Sequence, residues 1–155
     1  VAHFPDVLGK LDEIANRQKW EVPCKAVLAS SLNANLAASL NMDHSATIDI
    51  LVGERHPLPS VDDHLQDFAD ELPSRCRFSH HVSLEDAVIK VFAGDWVKNV
   101  LKQLGVADDE AIESQMVSRR IRSAQQKIES RNLAIMNTQS AAEWLEKNCP
   151  DLVPK

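Results

Sequence analysis

The chain has 155 residues, 44% of them hydrophobic and 26% charged, which is enough apolar mass for one core and too ordinary a charge content for wholesale disorder. Its formal net charge of −6 opposes general nucleic-acid affinity, which needs a basic surface. No run approaches the ~18 apolar residues of a membrane-spanning helix, and Val1-Ala2-His3-Phe4-Pro5 has neither the basic start nor the apolar core of a signal peptide.

In chain order, residues 6–18 put Val7, Leu8, Leu11, Ile14 and Ala15 at helical spacing, with Asp12, Glu13 and Arg17 outside. Pro23 ends that helix, and Cys24 to Ala29 reads as a short buried strand. Ser30 or Ser31 is placed to cap a second helix carrying Leu32, Leu36 and Leu40. Ala46 to Val52 alternates, with Ile48, Ile50 and Val52 on one face and Thr47 and Asp49 on the other, and Gly53, Pro57 and Pro59 close this strand. Ser60 is expected to cap a third helix bearing Val61, Leu65, Phe68, Ala69 and Leu72, which Pro73 stops; Arg77 to Val82 then reads as a third strand. Helices alternating with strands imply an α/β fold, a small and mostly parallel sheet of three or four strands with flanking helices.

From residue 83 the pattern becomes all-helical. Ser83 with Asp86 resembles a capping box opening a helix that buries Leu84, Ala87, Val88, Val91 and Phe92. Gly94-Asp95 restarts the helix and Gly105 supplies a left-handed stop. Val117, Ile121, Ala124, Ile128 and Ile135 then form a seam along a long helix. One helix over residues 111–148 would be roughly 57 Å long, far beyond a domain whose radius of gyration is about 15 Å. Thr138 and Ser140 with Glu143 offer a fresh cap, so a break is expected at residues 137–140, with a terminal helix carrying Ala142, Trp144 and Leu145.

Four glycines, Gly9, Gly53, Gly94 and Gly105, are too few and too scattered for a phosphate-cradling loop, and Gly9-Lys10 lies inside a helical pattern. Three distant cysteines, Cys24, Cys76 and Cys149, argue against a disulfide framework and for a reducing cytoplasm. A start at Val1 rather than methionine is expected of a processed or excised polypeptide.

Several segments resemble the second motor domain of the SecA preprotein translocase family and the start of its helical scaffold. Asn41-Met42 with Thr47-Ile48-Asp49-Ile50 is similar to the family's Asn-Met-Ala-Gly-Arg-Gly-Thr-Asp-Ile, although Asp43-His44-Ser45-Ala46 replaces the central glycines and arginine. Val52-Gly53-Glu54-Arg55-His56 resembles Ile-Gly-Thr-Glu-Arg-His, and Arg77-Phe78 through Leu84-Glu85-Asp86 resembles Arg-Phe-Tyr-Leu-Ser-Leu-Glu-Asp. The most specific match is Ala111-Ile112-Glu113, then Ala124-Gln125-Gln126-Lys127-Ile128-Glu129-Ser130-Arg131-Asn132, against Ala-Ile-Glu and Ala-Gln-Arg-Lys-Val-Glu-Ser-Arg-Asn. The likeness covers about residues 41–135. The resemblance implies a degenerate helicase-like α/β unit over residues 1–84 and a scaffold-like helical segment over 85–155, packed as one unit.

One departure is decisive for chemistry. Where the family carries Gln-Leu-Arg-Gly-Arg-Ala-Gly-Arg-Gln-Gly-Asp, whose arginines reach ATP phosphates, this chain has His64-Leu65-Gln66-Asp67-Phe68-Ala69-Asp70-Glu71-Leu72, with three acids and no arginine. Hydrolysis by this chain alone is therefore not expected, no catalytic residue is assigned, and ATP enters only with a P-loop domain elsewhere in a longer protein.

The resemblance carries over Asp49, Glu54, Arg55 and His56 as nucleotide-site positions; the competing reading of Glu54-Arg55-His56 is a salt-bridged strand end. Cys76 and His80 share a strand face, but a lone pair falls short of a zinc site, so no metal is expected. Ser83 is read as a cap rather than a nucleophile. Arg119, Arg120, Arg122, Lys127 and Arg131 form a basic stripe with two readings, a solvated helix face or a contact surface for acidic headgroups, another subunit or nucleic acid.

The leading functional expectation is a SecA-like module acting in protein transport by protein–protein contact, without its own ATPase site. Its partners would be translocase subunits or a SecA-type motor, itself included. No nucleic acid or transmembrane segment is expected, and the location is cytoplasmic, with peripheral contact at the inner membrane admitted. The alternative is a stand-alone adaptor that keeps the half-fold and binds an unrelated protein.

Overall fold

The computed structural model describes residues 1–17, 19–33, 35–36, 45–105, 114–131, 133 and 137–153. Helix α1 spans Pro5–Arg17, strand β1 Thr47–Val52, α2 Pro59–Glu71, β2 Arg75–His80, α3 Ala87–Phe92, α4 Gly94–Leu104, α5 Gln115–Glu129 and α6 Ala141–Asn148. The fold is α/β. Strands β1 and β2 pair in parallel, with Thr47 opposite Arg75 and Val52 opposite His80, and α2 connects them.

The sheet among the described residues is smaller than the three or four strands expected, having two. Cys24 to Ala29 is not a strand: it contributes one parallel bridge, Ala2 to Leu28, and then a 3-10 turn at Ala29–Ser31. The reason is the shortness of its partner. Ala2 donates to the Val27 carbonyl and accepts from the Ala29 N–H, but three residues later Pro5 has begun α1, leaving no second rung to build. The third strand is β2, starting two residues before the expected Arg77. The expected second helix begins beyond that 3-10 turn, with the Asn33 carboxamide accepting from the Leu36 N–H; Leu40 lies outside the described residues, as do Asn41 to His44, Ala111 to Glu113, Asn132 and Ile135.

Helix ends follow local chemistry, with two corrections. Ser60 does not cap α2. Pro59 occupies its first turn, where a missing N–H costs nothing, and the Ser60 N–H instead donates to the Glu129 carboxylate across the molecule. Asp86, not Ser83, caps α3 by accepting from Val88; Ser83 Oγ accepts from Glu85 within the preceding turn. Gly105, with φ of 70°, ends α4 as expected. Ser140 caps α6 through the Glu143 N–H, while the Glu143 carboxylate reaches back to Gln139 N–H, a capping box shifted by one residue. The long helix therefore stops at Glu129, and α6 is a separate element.

Two apolar clusters result. Ile50 and Val52 of β1 meet Leu65, Phe68 and Ala69 of α2, with Ala29 and Leu32. Phe4, Leu58, Val88, Ile89, Phe92, Val97, Ile121, Ile128, Trp144 and Leu145 form the other. The opposite face of β1 exposes Thr47, Asp49 and Leu51, and Asp49 is locked bidentately to Arg77 on β2, its register partner. A parallel sheet is ordinarily covered on both faces; this one carries an ion pair on the outer face.

Candidate functional site

The loop after β1 turns inward. Glu54 and His56 are 1% and 4% exposed, so the side chains of the Glu-Arg-His motif face the protein rather than a cleft. Glu54 Oε1 accepts from the backbone N–H groups of His3 (2.9 Å) and Phe4 (3.0 Å), clasping the N-terminal segment to the end of β1. His56 Nδ1 accepts from the Leu58 N–H, which leaves the ring proton on Nε2. The ring stacks on Phe4 at 5.3 Å and meets the edges of His3 and Trp144 at 5.4 and 5.6 Å.

Asp62, in the first turn of α2, is the hub. It is 3% exposed, and its Oδ1 accepts from the His56 N–H at 2.9 Å while lying 2.9 Å from His3 Nε2. The His3 contact has an ion-pair distance without hydrogen-bond alignment. Oδ2 accepts from the Gln125 amide at 2.9 Å and from Arg55 at 3.3 Å, and the same Gln125 amide donates to the His56 carbonyl at 2.7 Å. Two of the motifs that carry the family resemblance, linked by Gln125 and His56, 69 residues apart, thus meet in one buried hydrogen-bond network.

Burial sets the titration of this cluster. It raises Glu54 to about 7 against the two backbone donors, helped by nearby Asp86 and Asp6. Burial lowers His56 to about 4, with His3 adding to the effect, and lowers His80 to about 4, with Arg55 beside it. For Asp62, burial acts upward, but His3 and the N–H donors of His56 and Gln125 together outweigh it and hold the carboxyl at about 2.

These values give stability a pH profile. A histidine kept neutral by the fold contributes stability above its unfolded value of 6.5 that is lost as pH falls toward 4; Glu54 acts oppositely, its contribution being lost as pH rises from 4.5 to 7. With two histidines against one glutamate, denaturant unfolding should lose stability below pH 6.5 with net uptake of about one proton, a slope that stays near one down to about pH 4, where the folded-state histidines themselves begin to protonate. His80→Phe is expected to reduce that slope by about one proton, since the ring packs on Phe78 and its Nε2 has no hydrogen-bond partner among the described residues. An unchanged slope would show that His80 does not titrate in this window.

Of the other candidates from sequence, Asp49 stands apart from the clasp, on the outer sheet face with Arg77. The basic stripe is neutralised in part: Arg122 pairs bidentately with Asp63 and Arg131 with Asp151, while Arg120 keeps its charge and sits 4.7 Å over Trp96. Arg119 and Lys127 remain exposed on α5. Cys76 and His80 both lie on β2, and no group of metal-ligating side chains assembles among the described residues. Helix α2 turns Asp63, Asp67, Asp70 and Glu71 outward.

Sequence reasoning passed over Asp62, Gln125 and His3. Gln125 left a signal: it stands four residues after Ile121 and three before Ile128, a polar residue at a core position of the seam. His3 left none, since its burial depends on a fold-back against Glu54.

No protein-family model matches the chain. It is 38% identical over 91 residues to the protein translocase subunit SecA of Clostridium acetobutylicum, a stretch covering 59% of this chain and 11% of that protein. It is 38% identical over 109 residues to the subunit of the same name from Acinetobacter baumannii, covering 66% of this chain and 12% of that protein. Against Clostridium tetani the figure is 40% over 93 residues, or 59% and 11% of the two chains. The chain therefore spans only about an eighth of the length of the curated relatives it matches.

Proposed function

We propose, from the premise that this chain is SecA-family sequence over about 60% of its length, that it is a protein-translocation module acting by protein contact and lacking a nucleotide site of its own. The observation that carries this reading is α2. Where the resemblance calls for an arginine-rich phosphate-binding segment, the chain has a helix that turns Asp67, Asp70 and Glu71 outward, a field that repels a triphosphate. Arg55, which the resemblance would turn toward nucleotide, is engaged with Asp62.

The internal use of the motif residues supports a scaffolding role. Gln125 and Glu129 tie α5 to the α/β part, at His56 and Asp62 and at Ser60. Such ties hold the α/β part and the helical part in a fixed relation, which suits a rigid contact surface. Partners of translocase chemistry, a channel complex or a full-length SecA-type motor, fit this reading. No described helix is long and apolar enough to cross a membrane.

Titration calorimetry with magnesium-ATP is expected to give no binding at millimolar nucleotide, and immobilised chain should retain a SecA-type motor or its membrane channel. Saturable magnesium-dependent ATP binding would overturn the loss of the site. Retention of neither partner would favour the adaptor reading.

A further inference from the structure

Helix α1 is amphipathic yet contributes no buried residue. Phe4, just ahead of it, is in the core at 3% exposure, and Asp6 N–H donates to the Gln139 carbonyl, so the helix is held at its N-terminal end. Val7 and Leu11 lie against Gly53. Farther along, the apolar side runs into solvent, with Ile14 50% exposed, Trp20 44% and Val22 69%. The Trp20 indole donates to the Ala15 carbonyl, which fixes an aromatic surface beside the end of the helix.

The charges say what fits there. Asp6, Lys10, Glu13 and Arg17 follow one flank of α1 at intervals of four, three and four residues, all exposed and alternating in sign. Within each copy Arg17 is bonded to Glu13 at 3.0 Å and Asp6 accepts from the Val7 N–H, in solvent where such bonds exchange readily. Two copies of this helix packed antiparallel about a two-fold axis set Asp6 against the partner's Arg17 and Lys10 against the partner's Glu13, on both sides of the axis at once. An isologous interface requires that self-complementarity. A lipid surface fits poorly: α1 carries Asp6, Asp12 and Glu13 against Lys10 and Arg17, three acids to two bases, whereas interfacial helices are rich in lysine and arginine.

We infer that α1 is a self-association surface: a second copy of this chain docks antiparallel on the side bearing Ile14 and Trp20, with Lys10 and Glu13 setting the register. The contact of two 13-residue helices is well below standard interface size, so a dissociation constant on the order of 100 µM is expected. The inference stands apart from the translocase reading.

Sedimentation velocity on the full 155-residue chain, from about 5 to 500 µM, tests it. Expected is a concentration-dependent monomer–dimer equilibrium that Ile14→Asp abolishes and that Lys10→Glu or Glu13→Lys alone weakens about tenfold. Combining Lys10→Glu with Glu13→Lys should restore wild-type association. That rescue discriminates: within one helix the double exchange sets Asp6 and Arg17 each beside a like charge and would compound the loss, whereas between helices both cross-pairs regain opposite sign. A chain monomeric throughout, a double exchange weaker than either single one, or an Ile14→Asp chain that still dimerises would overturn the proposal. So would binding of α1 to anionic phospholipid vesicles with no dimer in solution.

Discussion

Replacing Asp62 with alanine is expected to lower the free energy of unfolding by about 3–5 kcal/mol. The loss comes less from the bonds themselves than from what is left behind. The His56 N–H, the Gln125 amide, the Arg55 guanidinium and the His3 ring all converge on this one buried carboxylate. Without it they remain inside with no anion, and each unsatisfied donor costs on the order of 1–3 kcal/mol. Urea unfolding followed by circular dichroism measures the effect, with Asp63→Ala as the adjacent control. Asp63 also pairs with an arginine, Arg122, but in solvent, where removing the pair should cost about 1 kcal/mol or less. Equal losses at the two positions would mean that the clasp contributes no more than a surface ion pair. The Asp62→Ala chain should also lose the acid limb that Asp62 contributes between pH 3.8 and about 2.

Trp144→Ala is the second large effect, at about 3–5 kcal/mol. Trp144 is fully buried on α6 and meets the edge of His56, so its loss opens a cavity where the terminal helix docks on the β1–α2 loop. Amide exchange over α6 should rise well above that over β1 and α2, because the site that loses packing is local. Trp144→Phe separates volume from polarity. The indole Nε1 has no hydrogen-bond partner among the described residues, so phenylalanine loses ring area but removes a buried unsatisfied donor, and its net cost should fall below about 1.5 kcal/mol. A Phe variant as damaged as the Ala variant would mean that the indole N–H is satisfied in solution.

The pattern of legibility follows from the range of the forces concerned. Helix periods were readable because a buried face repeats at 3.6 residues whatever lies opposite it; Ile121 and Ile128 are in the core as spaced. The Ser140–Glu143 cap and the Gly105 stop were readable because their partners lie within four residues. Strand number was not readable, because a strand exists only if another backbone runs beside it. Cys24 to Ala29 has the composition of a strand, and Ala2 offers it one rung. Ser60 has the chemistry of a cap, yet α2 begins one residue before it at Pro59, and the Ser60 N–H is taken by Glu129 from a distant helix.

For the candidate site the division is sharper. The residue string announces an α/β unit followed by helices, a SecA kinship, and the missing arginines of α2, all of which are matters of composition and local spacing. It contains no statement that Glu54 and His56 point inward, that Asp62 gathers three hydrogen-bond donors and the His3 ring, or that Arg122 and Arg131 spend their charge on Asp63 and Asp151. Those depend on which groups the fold brings within about 3 Å after removing them from water. Burial then decides whether a carboxylate or an imidazole is a reactive group facing a ligand or a structural one satisfied by its own chain.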